Sequence, residues 1–291
     1  MAAQKAEATP LPFRRLTEQQ WPATHLAQSI AIASGKGGVG KSNVAVNIAL
    51  ELASFGHNVT LLDADMALAN VDVLLGLTPK YHLGHVLSGR KTLKDIEIPV
   101  VEGLRLIPGG SGVAELATLT SEQNSRLLNE LRAIEAESDF MIVDTAAGIA
   151  ANVTGILKSV TEAVIVTTPD PTALVDAYAT IKLCHQASRQ TPIKIIVNDV
   201  NDNSDADRVF KQLSATSKRF LNREIEHLGT IPHDTQLVDA VREQTPVVQY
   251  APETPSSRAL RMIARHIEIS RTETVGARNR SFWSALTALD Q

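Results

Sequence analysis

The octapeptide Gly35-Lys36-Gly37-Gly38-Val39-Gly40-Lys41-Ser42 constrains this chain more than any other feature. It fits the pattern G-x-x-x-x-G-K-[ST], and its surroundings fit as well. An apolar run, Ile30–Ala33, precedes it; Val44, Ile48 and Leu52, with Ala45 and Ala49, follow at helical spacing. A strand, a glycine-rich turn and a helix in that order describe a phosphate-binding loop. Four glycines let the backbone curl until successive N–H groups point at phosphate oxygens, and the helix beginning near Lys41 adds its positive end. Lys41 then neutralises the β- and γ-phosphates, and the Ser42 hydroxyl is a ligand for Mg²⁺.

Six further short aliphatic runs recur: Val59–Leu62, Leu104–Ile107, Phe140–Val143, Ala163–Thr167, Ile193–Val197 and Leu228–Ile231. Each is apolar on both alternations, which suits parallel strands covered on both faces. Helical spacing returns between them, as at Leu127, Leu128, Leu131 and Ile134. Strands alternating with helices predict an α/β, doubly wound, mostly parallel β-sheet flanked by helices. Three segments are expected: a flexible arm over residues 1–28 with a short helix near Leu16–Gln20, an ATPase domain over 29–269, and a linker with a last short helix over 270–291.

Composition removes several classes. The chain has 291 residues, a formal net charge of −4 and one cysteine, Cys184. A disulfide scaffold and a Cys-rich metal site within one chain are excluded, and bulk coating of nucleic acid is disfavoured. Cys184 reads as a partly buried small apolar residue, and His82-x-x-His85, lacking a third ligand, as surface. No apolar run approaches the roughly 20 residues that span a bilayer, and Met1 to Trp21 lacks a signal-peptide core, so the cytosol is the expected compartment.

Two apolar runs end in carboxylates, Asp63-Ala64-Asp65 and Asp144-Thr145-Ala146-Ala147-Gly148. Carboxylates at the C-terminal ends of parallel strands face the ligand crevice, and an apolar strand ending in Asp is a Walker B pattern.

With Lys36 directly after the first glycine, the loop resembles the deviant Walker A of the MinD/ParA group of P-loop ATPases, and the resemblance runs from about Ser29 to Arg265. It implies ATP and ADP with Mg²⁺ as ligands, and a homodimer formed with ATP in which Lys36 reaches the nucleotide of the second subunit. Lys36, Lys41 and Asp65 are then the catalytic residues, Asp65 orienting the attacking water. Ser42, Asp63 and Asp144 serve the metal. Gly35 to Ser42 cradle the phosphates, Asn43 donates to the α-phosphate and Gly148 offers its N–H to the γ-phosphate. Asn198 reads adenine, and Ile231-Pro232-His233-Asp234 resembles the I-P-x-D loop that closes over the base, so Pro232 and Asp234 join the nucleotide contacts.

Within that group, Leu62 to Leu77, Asp170 to Ala179 and Arg219-Phe220-Leu221 resemble the flagellar-number ATPases, the FlhG (FleN) type. That implies a switch regulating flagellar number, placement and assembly. Its implied partners are an FlhF-like GTPase, flagellar C-ring proteins and a flagellar transcription regulator, with no direct specific DNA binding. A ParA-like partitioning ATPase for DNA or cargo and a MinD-type division-site regulator are the alternatives. The arm reads Glu18-Gln19-Gln20 where many relatives carry D-Q-A. At the other end Phe282, Leu286 and Leu289 are spaced i, i+4, i+7 with Trp283 beside them. They form a short amphipathic helix with an aromatic pair, suited to a membrane surface; a helix packed on its own domain is the alternative. The first option places the ATP-bound protein peripherally on the inner face of the cell membrane, at the pole.

Overall fold

In a computed structural model, residues 26–65, 70–109, 130–148, 151–274 and 281–287 are described. The seven aliphatic runs are all strands, each extended at one or both ends. They are β1 (Gln28–Ser34), β2 (Val59–Ala64), β4 (Leu104–Pro108), β5 (Phe140–Ala147), β6 (Glu162–Thr167), β7 (Ile193–Val200) and β8 (Glu226–Pro232). An eighth, β3 (Ile98–Val101), runs antiparallel to β4 at the sheet edge. It escaped notice in the sequence because it is short, half-exposed and carries Pro99, which an edge strand tolerates.

The strand order is β3-β4-β2-β5-β1-β6-β7-β8, and every adjacent pair except β3–β4 is parallel. The chain leaves β1 for β2 on one side and later reaches β6 on the other. The crevice at this reversal opens beyond the C-terminal ends of β1, β2, β5 and β7. Two apolar layers cover the sheet. On one face α1 (Lys41–Ser54) and the helix Pro255–Thr274 pack Ile48, Leu52, Ile263 and Ile267 over Ile30, Ile32 and Phe140. On the other, helices Ala151–Ser159, Pro171–Ala187 and Asn203–Leu221 pack Ile156, Ile181 and Leu213 over Ala31, Met141 and Ile195.

Several expectations need correction. The helix Pro255–Thr274 runs straight through position 270, where a linker was expected. Arg271 anchors it to the sheet, 2.7 Å from Asp139, whose carboxyl is held down at about 2 against the opposing effect of burial, by hydrogen bonds from His57 and the Asn58 N–H and by the Arg271 charge. Cys184 is fully rather than partly buried, and burial pushes its thiol up to about 12. His82 and His85 form a capping box for the helix Leu83–Leu87: His82 Nδ1 accepts from the Gly84 N–H and His85 Nδ1 from the His82 N–H. Residues 130–136 are helical with Leu131 and Ile134 buried, whereas Leu127 and Leu128 lie outside the described residues. Of the arm expected over 1–28, residues 1–25, with Glu18-Gln19-Gln20, also lie outside them, whereas Ala27 is buried and Gln28 opens β1.

The C-terminal helix, Phe282–Thr287, corrects the membrane-surface expectation: its apolar face is packed on its own domain. Phe282 is wholly buried in the core, Leu286 packs against it, and the segment lies on the helix Ala151–Ser159. The buried Glu135 carboxylate accepts from the Phe282 N–H at 2.8 Å and from the Ser281 hydroxyl at 2.6 Å. Leu289 lies outside the described residues, and so does the Trp283 side chain.

Candidate functional site

The glycine loop follows β1 and ends on Gly40, which caps α1 with φ of 89°. A side chain there would strain the backbone and strike the Asn198 amide. At Gly35 the obstacle is different: a Cβ would overlap the Asp176 main-chain carbonyl on the helix Pro171–Ala187. Among the described residues no side chain caps the N-terminus of α1, which leaves its first N–H groups directed at a ligand site.

Lys41 is buried, and its ammonium lies 2.7 Å from Asp144 Oδ1 and 3.3 Å from Ser42 Oγ. Asp144 is the register partner of Asp63 across the β2–β5 ladder, so two carboxylates stand side by side. Burial pushes Asp63 up to about 7, and the neighbouring Asp144 adds to that rise. Asp144 is also raised by burial, against the pull of Lys41. Asp63 accepts hydrogen bonds from the backbone N–H groups of Asp65 and Val71, which ties down both ends of the segment after β2. Asp65 itself lies close enough to raise Asp144 further. Met66 to Ala69 lie outside the described residues.

Among the described residues Asp144 Oδ2 is buried without a hydrogen-bond partner. With Ser42 Oγ beside it and Asp63 next in register, this orphaned oxygen fits a hard divalent cation. Among the described residues no three His, Cys, Asp or Glu side chains converge on one point. The donor set suits Mg²⁺, which takes one or two protein oxygens and completes its shell with phosphates and water.

Lys36 leaves the loop in another direction. Its ammonium donates to Thr172 Oγ1 at 2.8 Å and to Asp170 Oδ2 at 3.3 Å. Asp170 also caps the helix Pro171–Ala187, and bonds from the Thr172 side chain and backbone, then from Lys36, bring its carboxyl down to about 2. These partners of Lys36 went unassigned in the sequence, although Asp followed by Pro is a visible helix-start signal.

The remaining residues divide. Asn198 is brought onto the loop: its Nδ2 donates to the Val39 carbonyl at 2.9 Å. Asn43 is half-exposed on the first turn of α1. Gly148 departs from expectation, because its N–H donates to the Ser34 carbonyl at 2.9 Å instead of facing the phosphate position. Asp234 does too. It caps the helix Thr235–Arg242 through the Gln236 N–H and takes two bonds from Ser256, so both its oxygens are engaged. Pro232 ends β8 beside them. An open cavity of about 360 Å³ lies against the loop, with Lys36, Gly38, Asp170, Asp199 and Asp205 in its wall.

The profile of the ParA family, described as the NUBPL iron-transfer P-loop NTPase, matches residues 25–268. The chain is 38% identical over 250 residues to the antiactivator FleN of Pseudomonas aeruginosa, covering 86% of this chain and 89% of that protein. It is 35% identical over 246 residues to the flagellum site-determining protein YlxH of Helicobacter pylori, covering 84% and 83%. Among solved structures, the cell division protein MinD of Aquifex aeolicus superposes with a TM-score of 0.67 at 28% identity, covering 83% of this chain and 97% of that one.

Proposed function

The chain belongs to the ParA/MinD family of P-loop ATPases, and from that premise we propose that it is an ATP-switched regulator of flagellar number and placement. The observation that carries this reading is its near end-to-end similarity to an antiactivator and to a flagellum site-determining protein. The chemistry is hydrolysis of ATP to ADP and phosphate with Mg²⁺. Iron transfer, which the family description mentions, finds little support in a chain whose one cysteine is buried.

Each residue's task follows from its place. The α1 N-terminus and the loop N–H groups hold the phosphates. Lys41 leaves Asp144 to meet the β- and γ-phosphates, exchanging one anionic partner for another. Ser42 and Asp144, with Asp63 nearby, would hold Mg²⁺, which when bound would supply charge neutralisation to the phosphate oxygens. Asp65, tethered through its N–H to Asp63, orients the attacking water. Asn198 takes the adenine base. Lys36 exchanges Asp170 and Thr172 for the phosphates of a second subunit, which makes the dimer dependent on ATP.

Partners of this switch are an FlhF-like GTPase, C-ring proteins and a flagellar transcription regulator. No helix among the described residues is long and apolar enough to cross a membrane. Peripheral attachment at the cell pole then requires the helix Phe282–Thr287 to leave its site on the domain. Expressing the chain in Pseudomonas aeruginosa lacking FleN and counting flagella per cell tests the function. Restored number supports it. Unchanged number in cells that contain the folded protein overturns it, and correction of a MinD-deficient strain instead favours division-site regulation.

A further inference from the structure

The end of β7 is irregular. Val197 pairs with Thr230 and Val200 with Pro232, so Asn198 and Asp199 together oppose Ile231 alone. Two residues against one make a β-bulge, a device uncommon in parallel ladders and used to re-aim a side chain. Asp199 carries the strain, with φ of 59°, in the left-handed region that a residue with a Cβ adopts at a cost. The bulge puts Asn198 over the glycine loop, where its Nδ2 reaches the Val39 carbonyl.

A second contact closes the bulge. Asp199 Oδ1 lies 2.6 Å from His233 Nδ1, and the His233 N–H donates to the Val200 carbonyl at 2.9 Å. Asp199 follows Asn198, and His233 follows Pro232, so one side-chain pair ties together the two loops on which the base would rest. With one amide hydrogen committed to Val39, Asn198 retains Oδ1 as an acceptor and a second hydrogen as a donor. That pairing matches the amino group and ring nitrogen of adenine and mismatches the oxo group of guanine.

We propose that Asp199 and His233 are positioning residues whose mutual hydrogen bond holds the β7 bulge, and that this aim of Asn198 sets the preference for adenine over guanine nucleotides. The proposal rests on the assignment of Asn198 to the base. Both residues act through Asn198, so the effect is read in the ratio of ATP to GTP affinity, where any change that Asp199 makes on the phosphate side of the cavity cancels.

The test measures affinities for ATP, GTP and inorganic tripolyphosphate in the wild type and in Asp199→Gly, Asp199→Asn, His233→Ala and Asn198→Ala. Glycine keeps the left-handed backbone and removes the acceptor, whereas asparagine keeps an acceptor and tolerates the same backbone. Asp199→Gly and His233→Ala should each lower the ATP-to-GTP preference about five-fold, as expected for one hydrogen bond, whatever change the lost charge makes to tripolyphosphate binding. Asp199→Asn should keep most of the preference, and a protein carrying both Asp199→Gly and His233→Ala should lose no more than either single variant. If Asp199→Gly keeps the full preference, or the two losses add, the pair does not aim Asn198 and the proposal fails. If Asn198→Ala also leaves the preference intact, the base assignment itself is wrong, which separates the two failures.

Discussion

Asp63 and Asp144 are register partners on adjacent parallel strands, and one ammonium, Lys41 Nζ, lies 2.7 Å from Asp144 Oδ1. Two buried carboxylates beside one cation leave an excess of negative charge. The structure relieves it by raising Asp63 to about 7, through burial first and Asp144 second. The folded protein therefore keeps a proton on Asp63 at pH values where the unfolded chain, with its ordinary carboxyl near 3.8, has released it. This contribution to stability is complete below about pH 4 and is lost as pH rises through about 7. Thermal melts of metal-free, nucleotide-free protein from pH 5 to 8 should show the wild type falling steadily below Asp63→Asn as pH rises. A difference between the two that stays constant with pH would show that Asp63 is not the titrating group.

Lys41→Ala should abolish useful ATP binding. The loss expected on leaving buried negative charge without its counter-ion is about 3 kcal/mol or more, roughly a hundred-fold in affinity. Titration calorimetry checks it; wild-type affinity in this variant would remove Lys41 from the phosphate site.

Lys36 is half-exposed, and its ammonium's partners among the described residues, Asp170 and Thr172, belong to its own chain. Lys36→Ala should therefore bind ATP within a few-fold of wild type and yet remain monomeric. Light scattering with ATP and Mg²⁺ gives the mass directly, and a two-chain mass for this variant would refute the cross-subunit role.

Glu135 holds the start of the C-terminal helix by accepting from Ser281 and from the Phe282 N–H. Glu135→Ala leaves that buried N–H without its acceptor, at a cost of about 1–3 kcal/mol. The helix should detach, so the variant should be clipped by trypsin at Arg278 or Arg280 sooner than wild type. It should also sediment with anionic liposomes in the absence of ATP. Removing residues 281–291 from the same variant should abolish the sedimentation; retained sedimentation would place the anchor elsewhere.

The strands and the loop were legible because both are local signals. Apolar runs such as Phe140–Val143 announce a strand buried on both faces, and a glycine at position 40 announces a backbone that no side chain would permit. What escaped depends on pairs distant in sequence. Glu135 and Phe282 lie 147 positions apart, and nothing near either residue marks the other. The periodicity of Phe282, Leu286 and Leu289 identified an amphipathic helix but not what its apolar face would meet, since a core and a lipid surface ask for the same pattern. Asp199 went unremarked because an aspartate after a strand reads as a turn; its positive φ is a product of the ladder with β8. Asp234 fitted a nucleotide-loop pattern, yet aspartate before Thr235 is an equally good helix cap, and that is the work its oxygens do here.

The absent side chain at Gly35 has a consequence for engineering. Because the main chain at Asp176 fills the place a Cβ would occupy, the octapeptide is one half of a joint whose other half lies some 140 positions downstream. Transplanting residues 28–54 into another α/β scaffold would carry over the motif but not the neighbour that shapes its first turn. A functional graft must include the helix Pro171–Ala187 at the same height above the sheet.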